Sequence, residues 1–257
     1  MTSVTATIER GSATASVKPQ ADVPAKPARH RRRGGFLSSS NGKKAVMAVT
    51  GAAMVLFLVG HMAGNLKSFF GAESFNSYAA FLRTLGEPIL PYRALLTIME
   101  IGLVVSVGLH MWAAISLARR ARKARPVKYA ARRRSRADGY AVRTMRYGGV
   151  IIVLFVVYHL LDLTFGVVNP AGASSTPYER LVANFAPSRW WVTLFYVLAV
   201  VMVGLHLRHG LWSALQTLGM AGRRSYRALK AAATGLSALL VVGFLAVPVS
   251  VAFGVIK

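Results

Sequence analysis

The chain has 257 residues, 54% of them hydrophobic, with a mean hydropathy of +0.45. Only 16% are charged, and 32 Lys and Arg stand against 8 Asp and Glu, for a net charge of +24. Soluble domains carry about 25% charged residues and disordered chains are poor in apolar ones, so both classes fit badly. The absence of cysteine excludes disulfides, thiolate metal sites and iron–sulfur clusters held by this chain.

Residues 1–42 are rich in Ala, Ser, Pro, Lys and Arg without apolar periodicity. They read as a disordered basic tail, leaving 43–257 as one membrane domain. Five apolar runs of spanning length follow, at about 45–66, 94–118, 147–168, 190–212 and 231–255. Between the first two, Phe75, Tyr78, Phe81, Leu82 and Leu85 recur at helical spacing and are closed by Gly86, Pro88 and Pro91. This segment reads as an amphipathic helix at the interface. Residues 119–146 form a long basic connection that prolongs the second span. Residues 169–189 open with Asn169-Pro170 and read as a loop, and Trp190-Trp191 mark a headgroup level.

The charge has a simple origin. Of the 32 Lys and Arg, 26 fall in 1–44, 119–146 and 208–230, all on one side of a five-span bundle. That side is expected to be cytoplasmic, with the N-terminus inside and the C-terminus outside. The fold class is therefore all-α, a transmembrane bundle of five helices. The basic residues meet anionic lipid headgroups, and nucleic acid is not an expected partner despite the run Arg132-Arg133-Arg134.

Each of the first four spans carries a histidine: His61, His110, His159 and His206, with His209 three residues after the last. An ionisable side chain inside the hydrocarbon is costly and marks function. At 1.5 Å per residue, His61 lies roughly 24 Å and His159 roughly 18 Å from the inner ends of their helices. His110 and His206 each lie roughly 24 Å from their outer ends. Depth thus pairs His61 with His159 in the outer half and His110 with His206 in the inner half. Paired imidazoles from facing helices suit the axial positions of haem iron. With both positions filled, the expected role is electron transfer. Gly60, Gly64, Gly108 and Gly204 flank these histidines and admit either a flat macrocycle or a neighbouring backbone.

The stretches GHMAGNLKSFFG at 60–71, GLHMWAAISLARRAR at 108–122, VVYHLLDLTFG at 156–166 and GLHLRHGLWSALQTLG at 204–219 resemble the single-chain, di-haem cytochrome b subunit of succinate:quinone oxidoreductases. The resemblance runs over about residues 43–255. It implies a membrane anchor for a flavoprotein and an iron–sulfur protein on the cytoplasmic face of a bacterial cell membrane. Succinate chemistry would then lie on those partners, and electrons would pass through two haem b groups to a quinone, menaquinone in relatives of this type. It implies the same ligand pairs, His110 with His206 and His61 with His159. Fumarate reduction uses the same architecture. A reading from another class is a proton-coupled transporter with a histidine-lined path, which would not require two matched depths.

Further candidates surround these pairs. Glu100, deep in the outer half of the second span, is the expected proton-exchanging group near a quinone. Asp162 follows His159 by three residues and could bond a ligand, a propionate or a cation from the outer loop. Lys67, with Asn65, is placed for an outer haem propionate. On the inner side Arg208 and His209 are expected near an inner propionate. Arg119, Arg120, Trp212, Ser213 and Gln216 face either that site or the iron–sulfur partner.

Overall fold

The structure, a computed structural model, describes residues 35–124 and 136–257. The expected tail as far as residue 34, and the basic stretch 125–135 with its arginine run, lie outside them. The described residues are helical, with no strand. They form α1 (Ser40–Leu66), α2 (Gly71–Thr84), α3 (Ala94–Lys123), α4 (Arg136–His159), α5 (Pro177–Asn184), α6 (Trp190–Thr217) and α7 (Tyr226–Ala252). Five stretches are long and apolar enough to cross a membrane: Ser40–Thr84, Ala94–Lys123, Tyr147–Thr164, Pro187–Thr217 and Tyr226–Ala252.

The helices begin where the side chains allow. Ser39 caps α1 by accepting from the Gly42 N–H at 2.9 Å, satisfying a donor that the first turn leaves bare. Helix α1 thus starts earlier than the apolar run suggests. Helix α3 continues past its apolar run to Lys123, as the basic extension required.

Contacts fix the directions. Arg120 donates to the Ser40 hydroxyl and the Ser38 carbonyl, Lys43 donates to the Ser116 hydroxyl, and His110 meets Met47. The partners rise in α1 as they fall in α3, so the two helices are antiparallel. The same holds for α6 and α7, where Trp212 meets Tyr226 and Gly204 meets Ser237 and Val241. It also holds for α4 and α6, where Gly148 faces Met202 and Asp162 faces Tyr196. The ends of α3 and α6 and the starts of α1, α4 and α7 therefore share one side, called here the basic end.

Close approach holds α6 to α7. A Cβ on Gly204 would lie 2.3 Å from Cγ2 of Val241, and the Ser237 hydroxyl donates to the Gly204 carbonyl. With little hydrophobic drive between helices in lipid, such contacts carry association. The outer faces stay apolar: Leu56, Val104, Leu154, Leu198 and Val242 are exposed. A packed core lies at the opposite, far end, where Tyr178 and Leu181 of α5 and Phe185 just after it meet Val192 and Tyr196 of α6 and Val247 and Val251 of α7.

Two local features differ from the sequence reading. Residues 169–189 are not all loop: they hold α5, opened by a capping box in which Thr176 and Glu179 bond each other's backbone N–H, with Pro177 at the first position. The run of polar residues concealed that start. Helix α4 ends by widening into a π-turn over Leu160–Thr164, a spacing that often marks functional positions. Gly166 follows at φ +72°, where an added Cβ would lie 2.8 Å from Ala173 Cα and the Gly172 oxygen, so only glycine fits there.

Candidate functional site

The structure brings together both predicted histidine pairs. The rings of His61 in α1 and His159 in α4 are 5.9 Å apart between centroids, with their planes at 85°. Those of His110 in α3 and His206 in α6 are 6.3 Å apart, at 58°. His110 reaches α1 at the level of Met47 to Gly51. His61 lies ten residues beyond Gly51, so the pairs are separated by roughly 15 Å or more along the bundle.

The geometry can be tested against an iron held from both sides. Two imidazole nitrogens each roughly 2 Å from one ion put the ring centres roughly 6 Å apart, which is what both pairs show. Among the described residues there is no cluster of three or more His, Asp or Glu able to hold a metal. Two protein ligands per ion suit a macrocycle that supplies the rest, and not a bare metal site. Nothing lies within 4 Å of a Cβ added to Gly60 or Gly108; both glycines are exposed, and Gly108 lies roughly 160° around α3 from His110. Gly64 and Gly204 instead meet side chains: their added Cβ atoms would lie 2.7 Å from Tyr78 and 2.3 Å from Val241.

The surroundings of the two pairs differ. Nδ1 of His110 lies 3.0 Å from the Met47 carbonyl and 3.4 Å from the Thr50 hydroxyl. A carbonyl only accepts, so Nδ1 carries the proton and Nε2 is left as a bare lone pair. The other pair is set in aromatic rings. Phe57 stacks on His61 at 5.2 Å, and Phe244 lies 5.8 Å away. Phe155 and Tyr196 flank His159 at 5.7 and 6.0 Å. Nδ1 of His159 and Nδ1 of His206 are buried without a hydrogen-bond partner.

The other candidates are placed as follows. Glu100 accepts from Arg93 at 3.0 Å, both side chains about half exposed on the outside of α3. The Lys67 ammonium lies 5.5 Å from the centre of the Tyr78 ring. Arg208 lines a groove between α6 and α7 with Gly204, Thr234 and Ser237. That is the face of α6 roughly 160° from His206, whereas His209 is only roughly 60° from it. The structure therefore does not bring Arg208 to the histidine pair. Arg120 is engaged at the start of α1, and Trp212 packs edge-on against Tyr226 at 4.7 Å.

Asp162 is fully buried, and among the described residues its hydrogen-bond donors are an amide and a phenol. Its Oδ1 accepts from Asn169 at 3.0 Å and its Oδ2 from the Tyr196 hydroxyl at 2.9 Å. The Asn169 amide also donates to the Arg180 carbonyl at 3.1 Å, and Arg180 donates to the Thr164 carbonyl at 2.6 Å. Sequence reasoning missed Tyr196 and Asn169. The one signal that could have found Tyr196 was depth, since it sits at the level of Asp162 on the antiparallel helix.

Fold and site together define a multi-pass, all-helical membrane protein with two histidine pairs at two depths. Residues 121–247, just under half of the chain, match the family described as succinate dehydrogenase/fumarate reductase transmembrane subunit. That stretch carries His159, His206 and His209, while His61 and His110 precede it. No curated protein and no solved structure matched the chain.

Proposed function

We propose that this chain is the membrane-anchor cytochrome b subunit of a succinate dehydrogenase or fumarate reductase. The observation that carries the reading is the pair of histidine pairs, each spaced for one ion and roughly 15 Å or more apart along the bundle. The family match supports it from the sequence side. His110 and His206 would hold one haem b near the basic end, and His61 and His159 the second near the far end. When bound, the two irons supply one-electron carriage between the membrane faces.

The chain's own residues divide the remaining work. The basic end is the cytoplasmic side, with the N-terminus inside, and it takes the iron–sulfur and flavoprotein partners. His209, on the His206 side of α6, and Lys67, near the far-end pair, are placed to hold haem carboxylates by charge-assisted bonds. Arg208 serves the inner headgroup layer through the α6–α7 groove. Glu100 exchanges protons with a quinone, menaquinone in this reading. Its half-exposed carboxylate is open to a substrate arriving from lipid, and Arg93 compensates its charge there.

Purification of the chain with its neighbours tests the reading. A complex holding covalent flavin, iron–sulfur clusters and succinate:menaquinone activity is expected. Purified chain that carries protons with a solute across vesicles, and binds no haem, would favour the transporter instead.

A further inference from the structure

His110 and His159 are oriented by different means. The ring of His110 is fixed by its bond to the Met47 carbonyl. The Nδ1 of His159 has no such partner, although a histidine that serves as an iron ligand ordinarily donates its second N–H to a fixed acceptor. Packing must take over that task. Besides His61, two rings lie against His159: Phe155 has no polar tie, whereas Tyr196 stands at 63° to the imidazole and is anchored through its hydroxyl to Asp162. Tyr196 is 4% exposed and Asp162 is fully buried. Asp162 is in turn held by Asn169, which ties it to the backbone of α5 at Arg180. The π-turn at Leu160–Thr164 is what places Asp162.

We propose that Asp162 and Tyr196 are positioning residues for His159: the anchored phenol ring sets the plane of the imidazole and holds it near perpendicular to His61. The inference rests on the reading that His61 and His159 hold a haem. A carboxylate held by an amide and a phenol is costly to bury, and the buried Arg180 of the same network gives its bond to the Thr164 carbonyl and not to Asp162. A leucine and a phenylalanine at these positions would pack without it. What the polar version adds is a fixed hydroxyl tip for Tyr196, on a ring that Phe155 and Phe185 already meet edge-on. The plane angle of two axial imidazoles shapes the low-spin iron spectrum, so the effect has a direct readout.

The test is the electron paramagnetic resonance spectrum of the oxidised holoprotein in Tyr196→Phe and in Asp162→Asn, with the His110–His206 haem as internal control. Tyr196→Phe keeps the ring and removes the anchor. Asp162→Asn keeps the shape and loses one of two acceptors. The expected result is a shift of the far-end haem signal alone in both variants, with its midpoint potential displaced and the other signal in place. Loss of the far-end haem alone also supports the proposal. Two signals identical to the parent would overturn it, and so would equal disturbance of both haems, which denotes a role in general stability. A parent protein with no far-end haem would overturn the reading beneath it, a result visible before any variant is made.

Discussion

His110 donates from Nδ1 to the Met47 carbonyl across 3.0 Å, joining the middle of α3 to the first half of α1. The bond does two things at once. It locks the antiparallel register of the two helices, and it leaves Nε2 without the proton on a ring 6.3 Å from that of His206. A backbone acceptor cannot be removed by substitution, so the neighbourhood has to be perturbed sterically.

Gly51 offers that route. A Cβ there would lie 3.4 Å from Cε1 of His110, at ordinary contact distance. Gly51→Ala should therefore leave the near-basic-end haem in place, whereas Gly51→Leu should displace the ring and lose that haem. Optical spectra of the two variants check this. Loss of the far-end haem in Gly51→Leu, with the other retained, would contradict the placement.

Helix packing predicts an order of stability. An alanine at Gly204 meets Val241 at 2.3 Å, and one at Gly243 meets the sulfur of Met62 at 2.2 Å. The distances are alike but the neighbours are not. Valine is stiff at χ1 and cannot yield, while methionine has freely turning bonds. Gly204→Ala should cost about 1–3 kcal/mol by overpacking and Gly243→Ala clearly less. Thermal melting in detergent would read the order, which a greater loss in Gly243→Ala would reverse.

The capping box on α5 predicts a pH dependence. The Thr176 backbone N–H and hydroxyl hold the Glu179 carboxyl below its ordinary range. A depressed folded-state value means stabilisation present above the unfolded-state value and lost as pH falls through the folded one. Glu179→Gln should melt lower than the parent near neutral pH, and the gap should close on acidification through the carboxylate range. A gap that does not change with pH would show that the Glu179 charge does not stabilise α5.

These features were unequally legible in the sequence. The histidine pairing could be read because the rise per residue alone fixes depth, and each of four helices has one deep histidine. The same helical geometry already separated Arg208 from His206, although both were expected at one site. The start of α5 was written in Thr176-Pro177-Tyr178-Glu179 but lay inside a polar stretch that resembled loop. The Asp162–Tyr196–Asn169 bonds were hidden, because they depend on how far α4 turns after its spacing widens at Leu160, and no local pattern announces a π-turn. The acid at Glu100 was visible, while its partner Arg93 lies before α3 in a left-handed conformation that tertiary contacts set.

Glu100 gives the sharpest functional prediction. In Glu100→Gln, succinate:menaquinone activity should fall roughly 100-fold, the lower end of what a positioned proton-transfer group contributes. Electron transfer from succinate to a soluble dye should be unchanged, and both haems should remain. Arg93→Gln should fall less, since it removes the charge partner and not the proton carrier. Full quinone activity in Glu100→Gln would release this residue from the role.

That two histidine pairs hold two separate haems is the proposal on which the haem predictions depend. It is tested most directly by pyridine haemochrome quantitation of the purified chain and of the single alanine variants of His61, His110, His159 and His206. About two b haems per parent chain are expected, with one lost in each variant. His61 and His159 should lose the same one, and His110 and His206 the other. A parent without haem, or variants in which His61 and His110 lose the same haem, would contradict it.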